Sequence, residues 1–152
     1  MNYKNRKLQI NQVDEQLETF TRTYTAPAKG WIHTIRTSLS MTAAQLAGRL
    51  GVSPQSVLAI EKREKEGKIT LETLRRVGAA MELKLVYGFV PNGGTLEKMI
   101  EEKAKELAFK IVMRTSTQMA LEDQKISDQK LKKAIEERTQ EIVRTLPKNI
   151  WD

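Results

Sequence analysis

The side chains best suited to chemistry in this chain fall on one face of a helix expected to begin at Pro54. Gln55, Ala59 and Lys62 cluster on that face at helical spacing. A glutamine amide can pair with adenine through two hydrogen bonds, and a small apolar side chain can contact a thymine methyl group. Lysine suits phosphate groups. This pattern predicts contacts with a nucleic-acid duplex, and the alternative is an ordinary polar first turn.

Two short helices joined by a tight turn must present that face. Thr42 with Gln45 three residues later forms a capping-box pattern, which predicts that a helix begins there. Gly51 marks the end of this helix because glycine adopts the left-handed backbone at little cost. Ser53 followed by Pro54 predicts the start of the next helix. Two helices this close along the chain must cross, as in a helix-turn-helix.

The predicted contacts with DNA divide between bases and backbone. Gln55 is expected to read a base, with Leu58 or Ala59 against a thymine methyl group. Lys62, Arg63 and Lys68 suit phosphates, as do free backbone amides near Thr42 and Ala43 at a helix start. The full predicted set is Thr42, Ala43, Gln45, Ser53, Gln55, Ser56, Leu58, Ala59, Lys62, Arg63 and Lys68.

The frame from Thr42 to Glu61, T-x-x-x-L-A-x-x-x-G-V-S-x-x-x-V-x-x-x-E, resembles the Cro and repressor type of helix-turn-helix, the XRE family. The resemblance covers about residues 31–82. In that family an arginine of the first helix commonly pairs with the glutamate that ends the recognition helix. The resemblance therefore implies a structural ion pair between Arg36 and Glu61, since a partly buried carboxylate needs a cation.

A longer resemblance, to the family named mobile mystery protein A, spans nearly the whole chain. It rests on W-I-x-x-I-R from Trp31, the run from Thr70 to Pro91, M-A-L-E-D-Q at Met119 to Gln124 and the terminal Trp151-Asp152. Members are typically encoded on mobile elements beside a Fic-domain protein, mobile mystery protein B, which implies an antitoxin-like or regulatory pairing.

Some Fic proteins are held inactive by a helix that bears S/T-x-x-x-E-G/N, and this chain lacks that motif. Lys62 stands where the serine or threonine before Glu66-Gly67 would be needed. Direct inhibition through the motif is therefore not expected. Neutralisation by another surface, or repression alone, remains open.

The apolar spacing predicts a mainly α fold, in which a lambda-repressor-like helix-turn-helix domain carries one short β-strand and N- and C-terminal helical arms. A helix is expected from roughly Lys7 to Arg22, and alternation from Leu83 to Val90 predicts the strand. That strand must pair with another strand or with its twin in a second subunit. One small core is expected. The predicted domains are 1–28 (arm and linker), 29–92 (helix-turn-helix domain with strand) and 93–152 (C-terminal helices).

Composition narrows the class of protein. The formal net charge is +7, and residues 29–90 hold ten basic against five acidic side chains. By itself this excess of positive charge fits a polyanionic partner or a solvated basic surface equally well. Together with the helix-turn-helix pattern it favours a polyanionic partner. The absence of cysteine excludes disulfides, thiolate metal sites and thiol nucleophiles. Without a signal peptide or a long apolar run, the protein is expected to be soluble and cytoplasmic.

The remaining candidates for chemistry are weak. His33 is the single histidine, so no usual zinc site can form, and the acids Glu122, Asp123 and Asp128 more often face solvent than hold a hard metal ion. Ser38 and Ser40 lack a nearby general base. We therefore predict no enzyme activity, no cofactor and no metal site.

Together these patterns predict a sequence-specific, double-stranded DNA-binding transcriptional repressor that acts as a homodimer. The resemblance implies that it is the autoregulating, antitoxin-like component of an operon with a Fic-domain protein. The alternative is a protein-interaction antitoxin that neutralises the Fic partner directly through its helical arms, with DNA binding secondary.

Overall fold

A computed structural model describes residues 1–21, 25–121 and 127–152, apart from the side chain of Ala120. In these ranges the elements are α1 (Tyr3–Thr21), α2 (Trp31–Ser38), α3 (Ala43–Leu50), α4 (Pro54–Lys65), α5 (Leu71–Ala80), α6 (Leu96–Leu121), α7 (Asp128–Thr145) and a 3-10 helix (Lys148–Trp151). They form two compact units. We call Tyr24–Gly88 the central unit, and Met1–Thr23 with Phe89–Asp152 the terminal unit.

The central unit packs α2 to α5 around one apolar core. Helices α3, α4 and α5 each begin at a residue whose hydroxyl accepts a backbone hydrogen bond from three residues further on: Thr42, Ser53 and Thr70. Such caps are worth about 0.5–2 kcal/mol each, because they satisfy amides that a helix start leaves unpaired. The buried core residues are Ile32, Leu46, Ala47, Val57, Ile60, Val77 and Met81.

The turn between α3 and α4 comprises residues 51–53. Gly51 adopts the left-handed conformation, with φ of 68°, and the Val52 amide donates to the Ala47 carbonyl at 3.1 Å. Ser53 then begins α4 with an extended backbone, and Pro54 takes the first helical position, where its missing amide costs nothing. This turn therefore sets the direction in which α4 leaves α3.

The terminal unit joins the two ends of the chain. In α6 the fully buried Ala104 and Ala108 form a cluster with Ile142 of α7 and Ile150 of the 3-10 helix. Asp14 of α1 accepts hydrogen bonds from the amides of Leu96 and Glu97, at 2.7 and 3.2 Å. A carboxylate suits this position because the free amides of a helix start are electropositive. The expectation of one small core is thus wrong, since each unit has its own buried cluster.

The predicted strand from Leu83 to Val90 is absent, and this prediction for the single chain is wrong. These residues adopt neither helix nor strand, because a strand requires a partner for its backbone hydrogen bonds and no described segment supplies one. Helix α5 ends with the Leu83 amide donating to the Gly78 carbonyl at 2.8 Å, and Glu82 has φ of 61°.

One helix start differs from its prediction, and some residues named in the predictions lie where no comparison is possible. Helix α1 begins at Tyr3, four residues before the predicted start at Lys7. Arg22, the acids Glu122 and Asp123, and Gln124 at the end of M-A-L-E-D-Q lie outside the described residues.

Candidate nucleic-acid interface

A buried ion pair fixes the inner face of α4 against α2. Arg36 Nε donates to Glu61 Oε1 at 2.6 Å, and Arg36 Nη2 donates to Glu61 Oε2 at 3.1 Å. The remaining Nη1 donates to the Met41 carbonyl at 2.9 Å. Arg36 and Glu61 are only 7% and 6% exposed. Two parallel charge-assisted hydrogen bonds constrain both distance and orientation, so α4 has little freedom to rotate about its axis.

The charge state of Glu61 follows from its neighbours. Burial raises the pKa of Glu61, but hydrogen bonds from Arg36 and from His33, whose Nδ1 lies 3.0 Å from Oε2, outweigh burial and leave the pKa below its usual value. The hydrogen bond to Glu61 is also the main cause of the raised pKa of Arg36. Glu61 is therefore a structural carboxylate at neutral pH, and His33 is its second partner.

Sequence reasoning missed Glu64, which ties α4 to the start of α2. Its carboxylate accepts hydrogen bonds from the amides of Trp31 and Ile32, at 2.7 and 2.9 Å. Gly30 precedes α2 with φ of 84°, and a Cβ on it would lie 2.9 Å from Glu64 Oε2. A glycine at the N-cap has no side-chain oxygen to accept these hydrogen bonds, so Glu64 takes that role. The signal was available, because Glu64 follows Val57 and Glu61 on the same helical face.

The opposite face of α4 is open to solvent. Gln55, Ala59 and Lys62 are exposed, whereas Val57, Ile60 and Glu61 are buried in the core. Leu58 is also exposed, although it is a large apolar residue. This helix thus presents an amide, two apolar groups and a cation along one accessible edge, which are the groups that contact base edges in a major groove.

The two serines at the start of α4 are engaged with each other. Ser53 Oγ accepts the Ser56 amide at 3.2 Å and lies 2.9 Å from Ser56 Oγ. Ser56 is partly buried. Their hydroxyl groups therefore hold the first turn of α4 in place. In this turn, the polar side chain left to contact a base is that of Gln55.

The start of α3 is partly occupied. The Thr42 amide donates to Gln45 Oε1 at 2.8 Å, and the Gln45 amide donates to Thr42 Oγ1 at 3.1 Å. The predicted capping box is thus confirmed, and it occupies the Thr42 amide, so of the two amides expected to be free only that of Ala43 can be. The Ala43 amide has no hydrogen bond among the described residues, and the Gln45 side chain keeps its NH₂ group available. An anion at this helix start would meet those two donors.

The predicted phosphate-binding cations are exposed. Lys62 Nζ lies 3.9 Å from Glu66 Oε1, and Lys68 Nζ lies 3.6 Å from Glu66 Oε2. Pairs this long and this exposed hold a side chain only weakly, so both lysines can turn to another anion. Arg63 is exposed on the same helix as Lys62. Lys62 and Arg63 lie in the last turn of α4, and Lys68 lies just beyond its C-terminal end.

Comparison with protein families agrees with this geometry. Residues 32–87 match the family model HTH_3, described as helix-turn-helix. The matched range lies within the central unit, which is therefore similar to a helix-turn-helix domain. The matched range covers α2 from Ile32 onwards, α3, α4, α5 and the residues that follow α5. Helices α3 and α4, with the tight turn between them, stand in the positions of the first and second helices of a helix-turn-helix. Neither the curated proteins nor the solved structures gave a match.

The match supports a DNA-binding transcription regulator, because a helix-turn-helix of this type is a regulatory domain and is not normally enzymatic. In the described ranges, no three histidine, aspartate or glutamate residues group as metal ligands would. No helix in those ranges is both long and apolar enough to cross a membrane.

Proposed function

We propose that this protein is a sequence-specific repressor of transcription that binds double-stranded DNA through α4. The observation that supports it most is the division of that helix into two faces. One face is fixed to the core by Glu61 and Glu64, and the other exposes Gln55, Leu58 and Lys62. A helix held rigidly on one side and open on the other can enter a major groove without reorganising.

Base reading in this proposal depends on Gln55. Its amide can pair with adenine N6 and N7, and the exposed Leu58 and Ala59 can contact the methyl group of a neighbouring thymine. These contacts favour a site that contains A·T pairs. Each good two-bond contact discriminates against a wrong base by about 1–3 kcal/mol.

Backbone contacts would set the position of α4 in the groove. Lys62, Arg63 and Lys68 carry exposed charges beyond the outer face of α4, and the Ala43 amide with the Gln45 side chain can hold a phosphate at the start of α3. These contacts raise affinity for any duplex and do not select a sequence.

We further propose that the protein acts as a homodimer that represses its own operon. One recognition helix reads only a few base pairs, and two copies spaced by about one helical turn reach useful specificity. The proposed operon partner is a Fic-domain protein. That part of the proposal rests on the resemblance to mobile mystery protein A, which spans nearly the whole chain.

A second candidate function is an antitoxin that neutralises the Fic-domain partner by direct contact, with DNA binding secondary. Exposed apolar side chains on the helices of the terminal unit favour it: Leu8 of α1 and Phe109 and Leu121 of α6 are all more than half exposed. Apolar groups of this size in contact with water are suited to a protein partner.

Genomic fragments captured by the full-length protein, followed by sequencing, would supply the operator for a titration. Gln55→Ala should weaken binding to that operator by about 1–3 kcal/mol and leave random DNA unchanged. Lys62→Ala should weaken both duplexes equally and lower the slope of log affinity against log salt by about 1. Gln140→Ala and Lys132→Ala, at exposed positions of α7, are matched controls.

Two results would count against the repressor. One is an equal loss on operator and random DNA for Gln55→Ala, and the other is the capture of no fragment above background. Co-purification of the neighbouring gene product, with loss of that complex in Phe109→Ala and retention in Gln55→Ala, would favour the second candidate.

A further inference from the structure

The residues between α5 and α6 carry a run of exposed apolar side chains. We call Leu83–Val90 the apolar segment. Five of its large apolar residues are 41% (Leu83), 69% (Val86), 58% (Tyr87), 80% (Phe89) and 41% (Val90) exposed, and the remaining one, Leu85, is partly buried. Lys84 is its single charged residue. Isolated exposed apolar residues are common, but five of them within one short segment usually mark a surface that a partner covers.

The backbone of the apolar segment is also unpaired. The Leu83 amide is used by the end of α5, where it donates to the Gly78 carbonyl at 2.8 Å. From Lys84 to Val90 no backbone amide has a hydrogen bond to any described residue. Exposed, unpaired backbone in a segment rich in aromatic and β-branched residues is a template for pairing with another strand.

We infer that the apolar segment pairs with the same segment of a second copy of this chain, in an antiparallel two-stranded ladder centred on Val86. This inference rests on the proposed function, because two half-sites on DNA are read by two copies related by a twofold axis. A twofold axis brings the same surface of both copies together, so a strand that crosses it meets its own twin in the antiparallel direction. The ladder would exist only in the dimer, consistent with the absence of a strand in the single chain.

The sequence selects this register. With Val86 opposite Val86, Leu85 faces Tyr87 of the second copy and Lys84 faces Gly88, so the two lysines do not meet. Alternation places Leu83, Leu85, Tyr87 and Phe89 of both copies on one side of the ribbon.

The hydrogen bonds are compatible with the existing ones. If Val86 forms a hydrogen-bonded pair with its twin, the bonding amides are those of Lys84, Val86 and Gly88. None of these has a partner in the single chain, and the Leu83 amide keeps its bond to Gly78. In this arrangement no existing hydrogen bond breaks when the ladder forms.

The available area fits a weak dimer. At about 200 Å² for a large side chain, the exposed fractions of these five residues in both copies amount to roughly 1,000 Å², and edge-to-edge pairing buries only part of it because the side chains stand on both faces of the ribbon. Specific interfaces begin at about 1,000 Å². Both copies would therefore need their full apolar segment, and one large change within it should be enough to separate them.

The register can be tested by single cysteines, since the natural chain has none. Variants with one cysteine at 84, 85, 86, 87 or 88 are oxidised by glutathione disulfide without DNA, and Leu8→Cys, at another exposed apolar position, serves as the control. The twin Cα atoms at 86 would lie about 5.5 Å apart, a separation that suits a disulfide. Fastest cross-linking at Val86→Cys is the expected result. Equal rates at every position including Leu8, or a maximum elsewhere, would overturn the proposal.

Charge at the axis gives a second measurement, made by sedimentation on the full-length protein. Val86→Lys places two lysines opposite each other and should raise the dissociation constant of the dimer at least tenfold, whereas Val86→Thr keeps a β-branched residue and should change it little. Leu8→Lys, the matched control, should leave the mass unchanged. A dimer that survives Val86→Lys, or that is lost equally in Leu8→Lys, would overturn the proposal.

Neither measurement involves DNA, so the two proposals fail separately. A monomer that still binds its operator would overturn the pairing alone. A cross-linked dimer that captures no genomic fragment would overturn the repressor alone.

Discussion

The central and terminal units are both helical, but they are held together differently. In the central unit, short helices start at caps three residues away in sequence, and the core combines large apolar residues with the buried Arg36–Glu61 pair. In the terminal unit, Ala104 and Ala108 of α6 pack against Ile142 of α7, and the start of α6 is capped by Asp14 of α1, 82 residues earlier. Local caps also start α6 and α7, at Thr95 and Ser127, and Glu64 caps α2 from a distant position, so both units combine local and long-range contacts. The clearer difference lies in the cores: large apolar residues with a buried ion pair in the central unit, and alanines against isoleucines in the terminal unit.

The largest expected effect is the loss of the buried ion pair. Glu61→Ala leaves the Arg36 charge buried without its partner, so the free energy of unfolding of the central unit should fall by about 3–5 kcal/mol. Chemical denaturation followed by Trp31 fluorescence, in a Trp151→Phe background, measures this unit. The double variant Arg36→Met with Glu61→Leu should recover most of the loss. If the double variant is as unstable as Glu61→Ala, an unpaired charge is not the cause.

Acid should weaken the same contact. Because the folded pKa of Glu61 lies below its ordinary value of 4.5, the carboxylate stabilises the folded state above pH 4.5, and that contribution is lost as the pH falls through the folded pKa. The free energy of unfolding of the central unit should therefore decrease below pH 4.5. Glu61→Gln, measured in the same way, should flatten that part of the profile. A profile with the same slope in Glu61→Gln would assign the acid sensitivity to other carboxylates.

Gly48 inside α3 and Gly51 directly after it test how far local backbone conformation stabilises the central unit. Gly51 has φ of 68°, so Gly51→Ala should reduce the free energy of unfolding by about 1–2 kcal/mol. Gly48 lies inside α3 with open space where a Cβ would be, so Gly48→Ala should raise it by about 0.5–1 kcal/mol. The opposite signs, measured by thermal unfolding, are the prediction. Destabilisation of similar size by both changes would contradict it.

The smallest expected effect concerns the long-range cap of the terminal unit. Asp14→Ala removes the acceptor for the amides of Leu96 and Glu97, so their hydrogen exchange should become about fivefold faster, equivalent to ~1 kcal/mol. Glu15→Ala, the exposed neighbour on α1, is the matched control. Unchanged exchange in Asp14→Ala would mean that the Thr95 cap and packing hold the start of α6 without Asp14.

The sequence was sufficient for most of the helix-turn-helix. Short-range signals set these helix boundaries without information from elsewhere in the chain. Thr42 starts α3, Gly51 ends it, and Ser53 with Pro54 starts α4. The helical spacing of residues in α4 also separated the exposed Gln55 from the buried residues, because a helix that packs against one core has only one inner face. Which of the predicted contacts touch DNA remains a prediction.

The tertiary structure decided what joins distant residues. Glu64 as the cap of α2, the capping of α6 by Asp14 and the second buried cluster all require knowledge of which helices meet. The absent strand also depends on a contact that the local sequence cannot specify. Alternation from Leu83 to Val90 describes a chain able to pair, but a ladder forms only when a second strand is present, and one copy of this chain does not provide it.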